Sequence, residues 1–307
     1  MALSGLKLMV INGVQIPITS GSYDDNVTTE RLGTTSTPFS TLSYITERSS
    51  TVSFTSNAIK TCLTNLPLYG KVFDSTSTVD LYFCDKLRAG TGTGNTNYYQ
   101  AVGTKLSILG GMIHPTSISA PGSGSASISY QIYAANNGAS AVIQTDDSTS
   151  PSITSYSSEA FKLGPVQDST GETILLSSFT INFAVTEQYE RYSSIDPLSV
   201  AVNNNAITIQ AATESIAEYK KLYDGNIGGK CISDLDFFLR RQGKCSDTYA
   251  DVDAEHIKFS VATGFSKGAG IPFDTGSAIT YSVDIDVDME ADGLSFPVVA
   301  DLASAIA

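Results

Sequence analysis

The sequence predicts a mainly β protein made of two tandem, duplicated β-sandwich domains, each with one flanking α-helix. Three observations lead there. Apolar and polar residues alternate with a period of two through many short stretches, which is the pattern of half-buried strands. The 307 residues are 41% hydrophobic and only 16% charged, and Ser, Thr and Gly are plentiful, a mixture better suited to strands and turns than to helices. The chain also resembles itself at a nearly constant spacing, as a duplicated domain requires.

The self-similarity runs in four blocks that keep their order. "GLKLMVINGVQIPITSGSY" (5–23) has a loose echo in "AFKLGPVQDSTGETILLSSF" (160–179). "STVSFTSNAIKTCLTNLPLYG" (50–70) resembles "NAITIQAATESIAEYKKLYDG" (205–225): an alternating strand, a short helix, then Leu-Tyr and a glycine. "STVDLYFCDKLRAG" (77–90) matches "ISDLDFFLRRQGK" (232–244) with Asp80 on Asp234, and 105–133 lies on 256–284 without a gap, Tyr130 on Tyr281. The expected domains are 1–145 and 159–291, joined by a linker at 146–158 and followed by a C-terminal arm at 292–307. The arm, "DGLSFPVVADLASAIA", is apolar yet beyond the last predicted strand, so it must bury itself on its own second domain or on a neighbour.

Each element has a local reason. In the first copy "TVSFT", "TVDLYF", "KLSIL" and "SASISYQIY" alternate as strands; in the second "SSFTINFAV", "AITIQ", "DLDFF", "IKFSV" and "AITYSVDIDVDM" do so. The first helix is expected to be capped by Ser56, to run through Ile59, Cys62 and Leu63, and to stop at Pro67. The second is expected to be capped by Thr213, with Glu214 in its first turn, Lys220 and Lys221 near its end and Gly225 as a stop.

Charge is uneven. The net charge is −13; residues 1–150 hold 9 acids and 8 bases, residues 151–307 hold 22 acids and 10 bases. No basic patch is available to neutralise phosphates, which disfavours conventional nucleic-acid binding. No stretch reaches membrane-spanning length, and the opening apolar run is too short and interrupted for a signal peptide, so a cytosolic product is expected. The four cysteines (Cys62, Cys84, Cys231, Cys245) lack metal-ligand spacing. Free, mostly buried thiols are expected, with a Cys231–Cys245 bridge as the alternative.

"YSVDIDVDME" (281–290) places Asp284, Asp286, Asp288 and Glu290 on one side of a strand, with Val283, Ile285, Val287 and Met289 on the other. Carboxylates two residues apart on a strand repel by about 0.6 kcal/mol in water and by more at lower dielectric, so the row must face solvent, basic residues or a cation. A calcium loop counted from Asp288 has Val299 at its twelfth place, where a bidentate glutamate is required. A solvated outer face and a surface that repels another polyanion both remain open. The aligned first-copy positions are Tyr133, Ala135 and Asn137.

No catalytic constellation emerges, and no metal site or cofactor is expected. His114 and His256 lack a nucleophile partner pattern and are expected to be solvated or structural. "RAGTGTGNTNYY" (88–99) lacks the GK[ST] ending and GxGxxG spacing of phosphate loops. Asp80 with Asp85, or Asp234 with Asp236, offers a carboxylate pair but no sugar cleft, and the chain has no Trp to act as a carbohydrate platform.

This duplicated, acidic, Ser/Thr-rich, strand-plus-one-helix organisation resembles the major tail tube proteins of long-tailed bacteriophages. "VINGVQIPITSGSYDDN" (10–26) looks like the first strand and turn of that family, and "VTTERLGTTSTPFSTLS" (27–43) like its ring-contacting loop, followed by the strand and helix at 50–66. The resemblance implies a non-enzymatic virion protein, assembled in the host cytoplasm and resident in the tail. It implies trimeric, pseudo-hexameric rings that stack into a tube, contacts with other tail proteins, no membrane partner, and DNA that passes through the lumen without specific binding. The acidic row Asp284, Asp286, Asp288 and Glu290 is then a candidate lumen lining. Another virion β-protein (capsid, decoration or fibre component), or a surface adhesin or carbohydrate-binding module, is the alternative.

Overall fold

The computed structural model describes residues 4–33, 40–74, 76–85, 103–136, 142–149, 159–225, 227–243, 249–268, 279–289 and 296–306. The protein is mainly β, with two short helices.

In the first half, β1 (Ser4–Ile11) turns through Asn12 and Gly13 into β2 (Val14–Ile16). Both turn residues have positive φ, 50° and 76°, as the tight hairpins that match strand twist require. β1 also pairs β6 (Val79–Asp85), which pairs β7 (Gly103–Ile108), which pairs β10 (Ile143–Thr149), completing a five-stranded sheet. A second layer holds β3 (Ser20–Gly33), β4 (Ser40–Ser56), β9 (Ser127–Ala134) and β8 (Gly111–Pro121), with β5 (Lys71–Phe73) beside β8.

In the second half, β11 (Ala160–Gln167) pairs β12 (Thr173–Ile174) and β15 (Gly229–Gln242), and β15 pairs β16 (His256–Gly268). β16 continues to β17 (Tyr281–Asp288), then β14 (Ser199–Thr213), then β13 (Ser178–Glu190). Whereas the first half divides this path between β7 and β8 in two sheets, the second runs it through the single strand β16. The halves meet edge to edge: β13 pairs β8 from Ser178↔Pro121 to Asn182↔Ser117, giving one sheet of 13 strands.

Alternation places the core as expected. Phe54, Ile118, Ile128, Ile132, Ile181, Ile209, Val283 and Ile285 are all buried on one face of the large sheet. Helix α1 (Ile59–Asn65) buries Ile59 and Cys62, and α2 (Ile216–Leu222) buries Tyr219 and Leu222.

The expected caps sit two residues too early. Ser215 caps α2, accepting from Glu218 N, and Ala58 precedes α1 with no side-chain cap. Ser56 and Thr213 instead brace the turn into each helix. Ser56 Oγ donates to Pro17 O and accepts from Ala58 N, and Thr213 Oγ1 donates to Leu175 O and accepts from Ser215 N. Lys220 and Lys221 occupy the last turn of α2, as expected.

Residue 145, placed at the end of the first domain, lies inside β10. The tail expected as an arm forms β18 (Val298–Ser304) on β16. The Tyr69 hydroxyl, from the first half, accepts from Val298 N and donates to Val298 O, both at 2.7 Å, and Phe296 stacks on its ring. An apolar tail thus finds its burial at the junction of the two halves.

Candidate functional surface

The face of the large sheet opposite this core is a band of hydroxyls and amides that crosses both halves. One row runs Phe265, Asp286, Thr208, Asn182, Ser117, Ser129, Thr55, Ser20 in successive register across eight strands. At about 4.8 Å per strand the band is roughly 35 Å wide. The next row runs Lys267, Asp284, Gln210, Thr180, Ser119, Ser127. Cross-strand bonds tie the band together: Ser22 Oγ to Ser53 Oγ at 2.8 Å, Thr55 Oγ1 to Ser129 Oγ at 2.9 Å and Thr180 Oγ1 to Ser119 Oγ at 3.4 Å. Such pairs hold a sheet without charge.

Asp284, Asp286 and Asp288 lie at one end of this band; Glu290 lies outside the described residues. Asp286 accepts from Lys267 Nζ at 2.7 Å across the β16–β17 ladder. That bond, with Asp284 adding to it, raises the Lys267 ammonium above its ordinary value. Both side chains are about half exposed, so the pair contributes little to stability. Gln131 of β9 faces Ser53 of β4, and Asp284 of β17 faces Gln210 of β14. Asp80 accepts from Ser107 Oγ, and Asp236 accepts from Ser260 Oγ.

The other candidate groups are engaged structurally. Both histidines are fully buried. His256 Nδ1 accepts from Arg241 N, which leaves Nε2–H to donate to Ala250 O. His114 Nδ1–H donates to the Pro115 carbonyl, and burial lowers its pKa. Asp236 also meets Lys258 at 3.5 Å. Cys62 is buried and its thiol is pushed up to about 11 by that burial, whereas Cys231 is a free, exposed thiol. The 88–99 loop and Cys245 lie outside the described residues. Among the described residues no group of three His, Cys, Asp or Glu is placed to hold a metal ion, and no helix is long and apolar enough to cross a membrane.

Sequence reasoning missed one cluster. The hairpin arm β13–β14 of the second half reaches the first half at Arg48. Arg48 N donates to Ile195 O at 3.0 Å, and Arg191 Nη1 donates to Arg48 O at 2.9 Å. Arg48 in turn holds Asp25 through two bonds of 2.8 and 2.9 Å, and Ser50 adds a third. No local pattern signals it, because Arg191 lies 143 residues from Arg48 and Ile195 lies farther still.

The Arg48 hydrogen bond holds the Asp25 carboxyl below its ordinary value, against the opposing effect of partial burial. A depressed folded value means that this contribution is present above the unfolded pKa, about 3.9, and is lost as pH falls through the folded one. Asp25→Asn is therefore expected to lower the melting temperature near neutral pH and to flatten its fall between about pH 5 and about pH 3. Parallel melting curves for the two proteins would remove Asp25 from the acid response. No protein-family model matches the sequence, and no curated protein does.

Proposed function

We propose that this chain is a tail tube subunit of a long-tailed bacteriophage. In this reading its halves are tandem copies of one β-sandwich unit with a flanking helix, and three chains close a pseudo-hexameric ring. Rings stack into a tube, the polar band lines the lumen, and DNA passes along it without being bound.

The observation that carries the reading is the band itself. One sheet continues from the second half into the first through β13 and β8, and its open face carries hydroxyls and amides over six strands, from β14 to β3, beside the charged β16–β17 edge. Among the described residues of these rows the acids are Asp24, Asp284, Asp286 and Asp288, and the base is Lys267. Such a face hydrogen-bonds to water and, with Lys267 already held by Asp286, has little cationic charge to displace a polyphosphate's counterions and repels it mildly.

The pairing orders support the tandem copies. β2-β1-β6-β7 and β8-β9-β4-β3 in the first half parallel β12-β11-β15-β16 and β16-β17-β14-β13 in the second. Units that join like to like by heterologous contacts either close into a ring or run on as a filament, and with two units per chain a six-unit ring needs three chains.

Negative-stain microscopy of the purified protein tests this. Hollow tubes or rings with threefold symmetry are expected, and duplex DNA added at physiological salt should not be retained. Compact monomers at all concentrations, or tight DNA binding, would overturn the reading.

A further inference from the structure

Resting on the tandem-copy reading, the junction inside the chain supplies a template for a junction between chains. Inside the chain, the β13–β14 arm of the second half lies over the end of the first half's sheet. Arg48 N donates to Ile195 O and Asn136 N donates to Pro197 O, at 3.0 and 2.7 Å. Beneath the arm, Tyr133 of β9 is only 2% exposed. Tyr189 of the arm lies close to it; burial, with the Glu187 carboxylate behind it, pushes both phenols up to about 12.

The first half carries a like arm, β3–β4, whose base meets the β13–β14 arm at Glu47 and Arg48. β3 pairs β4 on one side and has no strand on its other side among the described residues. Val27, Leu42 and Ile45 on this arm are 42, 55 and 44% exposed. An open strand edge with apolar flanks is a surface that pairs with another chain unless it is covered.

Register says what the two arms have in common. Gly21 faces Phe54 and Tyr23 faces Val52 as Phe179 faces Ala211 and Ile181 faces Ile209. Carrying that frame along the arm sets Arg31 in the place of Tyr189. On the receiving side, Asp286 stands where Tyr133 does. Arg31 is exposed, and no carboxylate among the described residues forms an ion pair with it.

We propose that the β3–β4 arm of one chain lies across the second half of a second copy of the chain, as the β13–β14 arm lies across the first half of its own, with Arg31 set against Asp286 and Asp288. The two junctions then differ in chemistry. The one inside the chain is covalently tethered and sets tyrosine on tyrosine; the one between chains must find its partner by diffusion and sets a cation on a row of acids. Opposite charges of this kind steer encounter and fix register. Covering Asp286 and Asp288 leaves Asp284, Asp24 and the hydroxyl and amide rows toward the lumen.

Charge reversal tests this on the full chain. Arg31 and Asp288 are exposed, and Asp288 is chosen because Asp286 already holds Lys267. R31E and D288K are each expected to weaken association between copies at least about tenfold, measured by sedimentation, with unchanged melting temperatures. The double variant, with both changes in one chain, should regain most of the loss. Single variants that associate like the wild type, or a double variant no better than either single one, would overturn the arm junction. If such variants still formed threefold rings, the tube reading would stand without it. Conversely, if the swap behaves as expected but the copies build only open chains and never hollow rings, the junction stands and the tube reading falls. A wild type that stays monomeric overturns both.

Discussion

Phe237→Ala is expected to lower the unfolding free energy by about 3–5 kcal/mol, the range for emptying an aromatic site that cannot collapse. Phe237 is completely buried on β15. Val166 of β11 flanks it on one side and Phe259 of β16 on the other. Its ring meets Phe179 edge-on, with centroids 5.3 Å apart and planes at 61°. That geometry adds about 0.5–1.5 kcal/mol beyond area burial. Phe179 lies on β13, the strand that joins the halves, so the loss is felt at the junction as well as in the second half. Phe265 on the open face of the same sheet is 38% exposed and gives the control; Phe265→Ala should stay within about 1 kcal/mol. Urea unfolding of both variants checks the pair, and equal losses would mean that Phe237 does not sit in a packed core.

Much of the fold was legible because alternation is a local property. "SASISYQIY" and "AITYSVDIDVDM" reveal which side of β9 and β17 is buried, and Ile128, Tyr130 and Ile132, then Val283 and Ile285, are buried as that pattern requires. The same period hides register. A shift of two residues leaves every side chain on its face, so the pattern alone does not say that Gln131 faces Ser53 or that Asp284 faces Gln210. β10, "IQTDDST", is polar and reads as linker; it is a strand because β7 offers it an edge. β18 was hidden for a related reason, since Tyr69, which bonds it, is 229 residues away.

The candidate surface was half legible. That Asp284, Asp286 and Asp288 share a face follows from the sequence; that Asp286 meets Lys267 does not, because the lysine comes from β16. The serines and threonines of the band look only like composition until β13 and β8 line them up. Arm contacts such as Arg48 with Ile195 join backbone groups, which no side-chain pattern encodes.

Gly111→Ala is expected to cost about 2–4 kcal/mol, more than an ordinary glycine replacement in a turn. Two effects add. Gly111 has φ of +138°, a conformation that disfavours any Cβ. A Cβ there would also stand 2.0 Å from the carbonyl oxygen of Tyr133, a backbone atom held in the β8–β9 ladder that cannot swing away. The residue opens β8 just after β7 ends at Ile108, at the point where the first half splits a path that the second half runs through one strand. Gly124 separates the two effects, because its φ is +99° but nothing lies within 4 Å of its would-be Cβ. Gly124→Ala should therefore show only the conformational cost, about 1–2 kcal/mol. The difference between the variants measures the clash with Tyr133. Because Tyr133 lies beneath the β13–β14 arm, Gly111→Ala should also make the arm easier to cleave by protease, whereas Gly124→Ala should not. Equal stability losses and equal cleavage would show that β9 yields at Tyr133, and the break between β7 and β8 would then owe nothing to a glycine at this position.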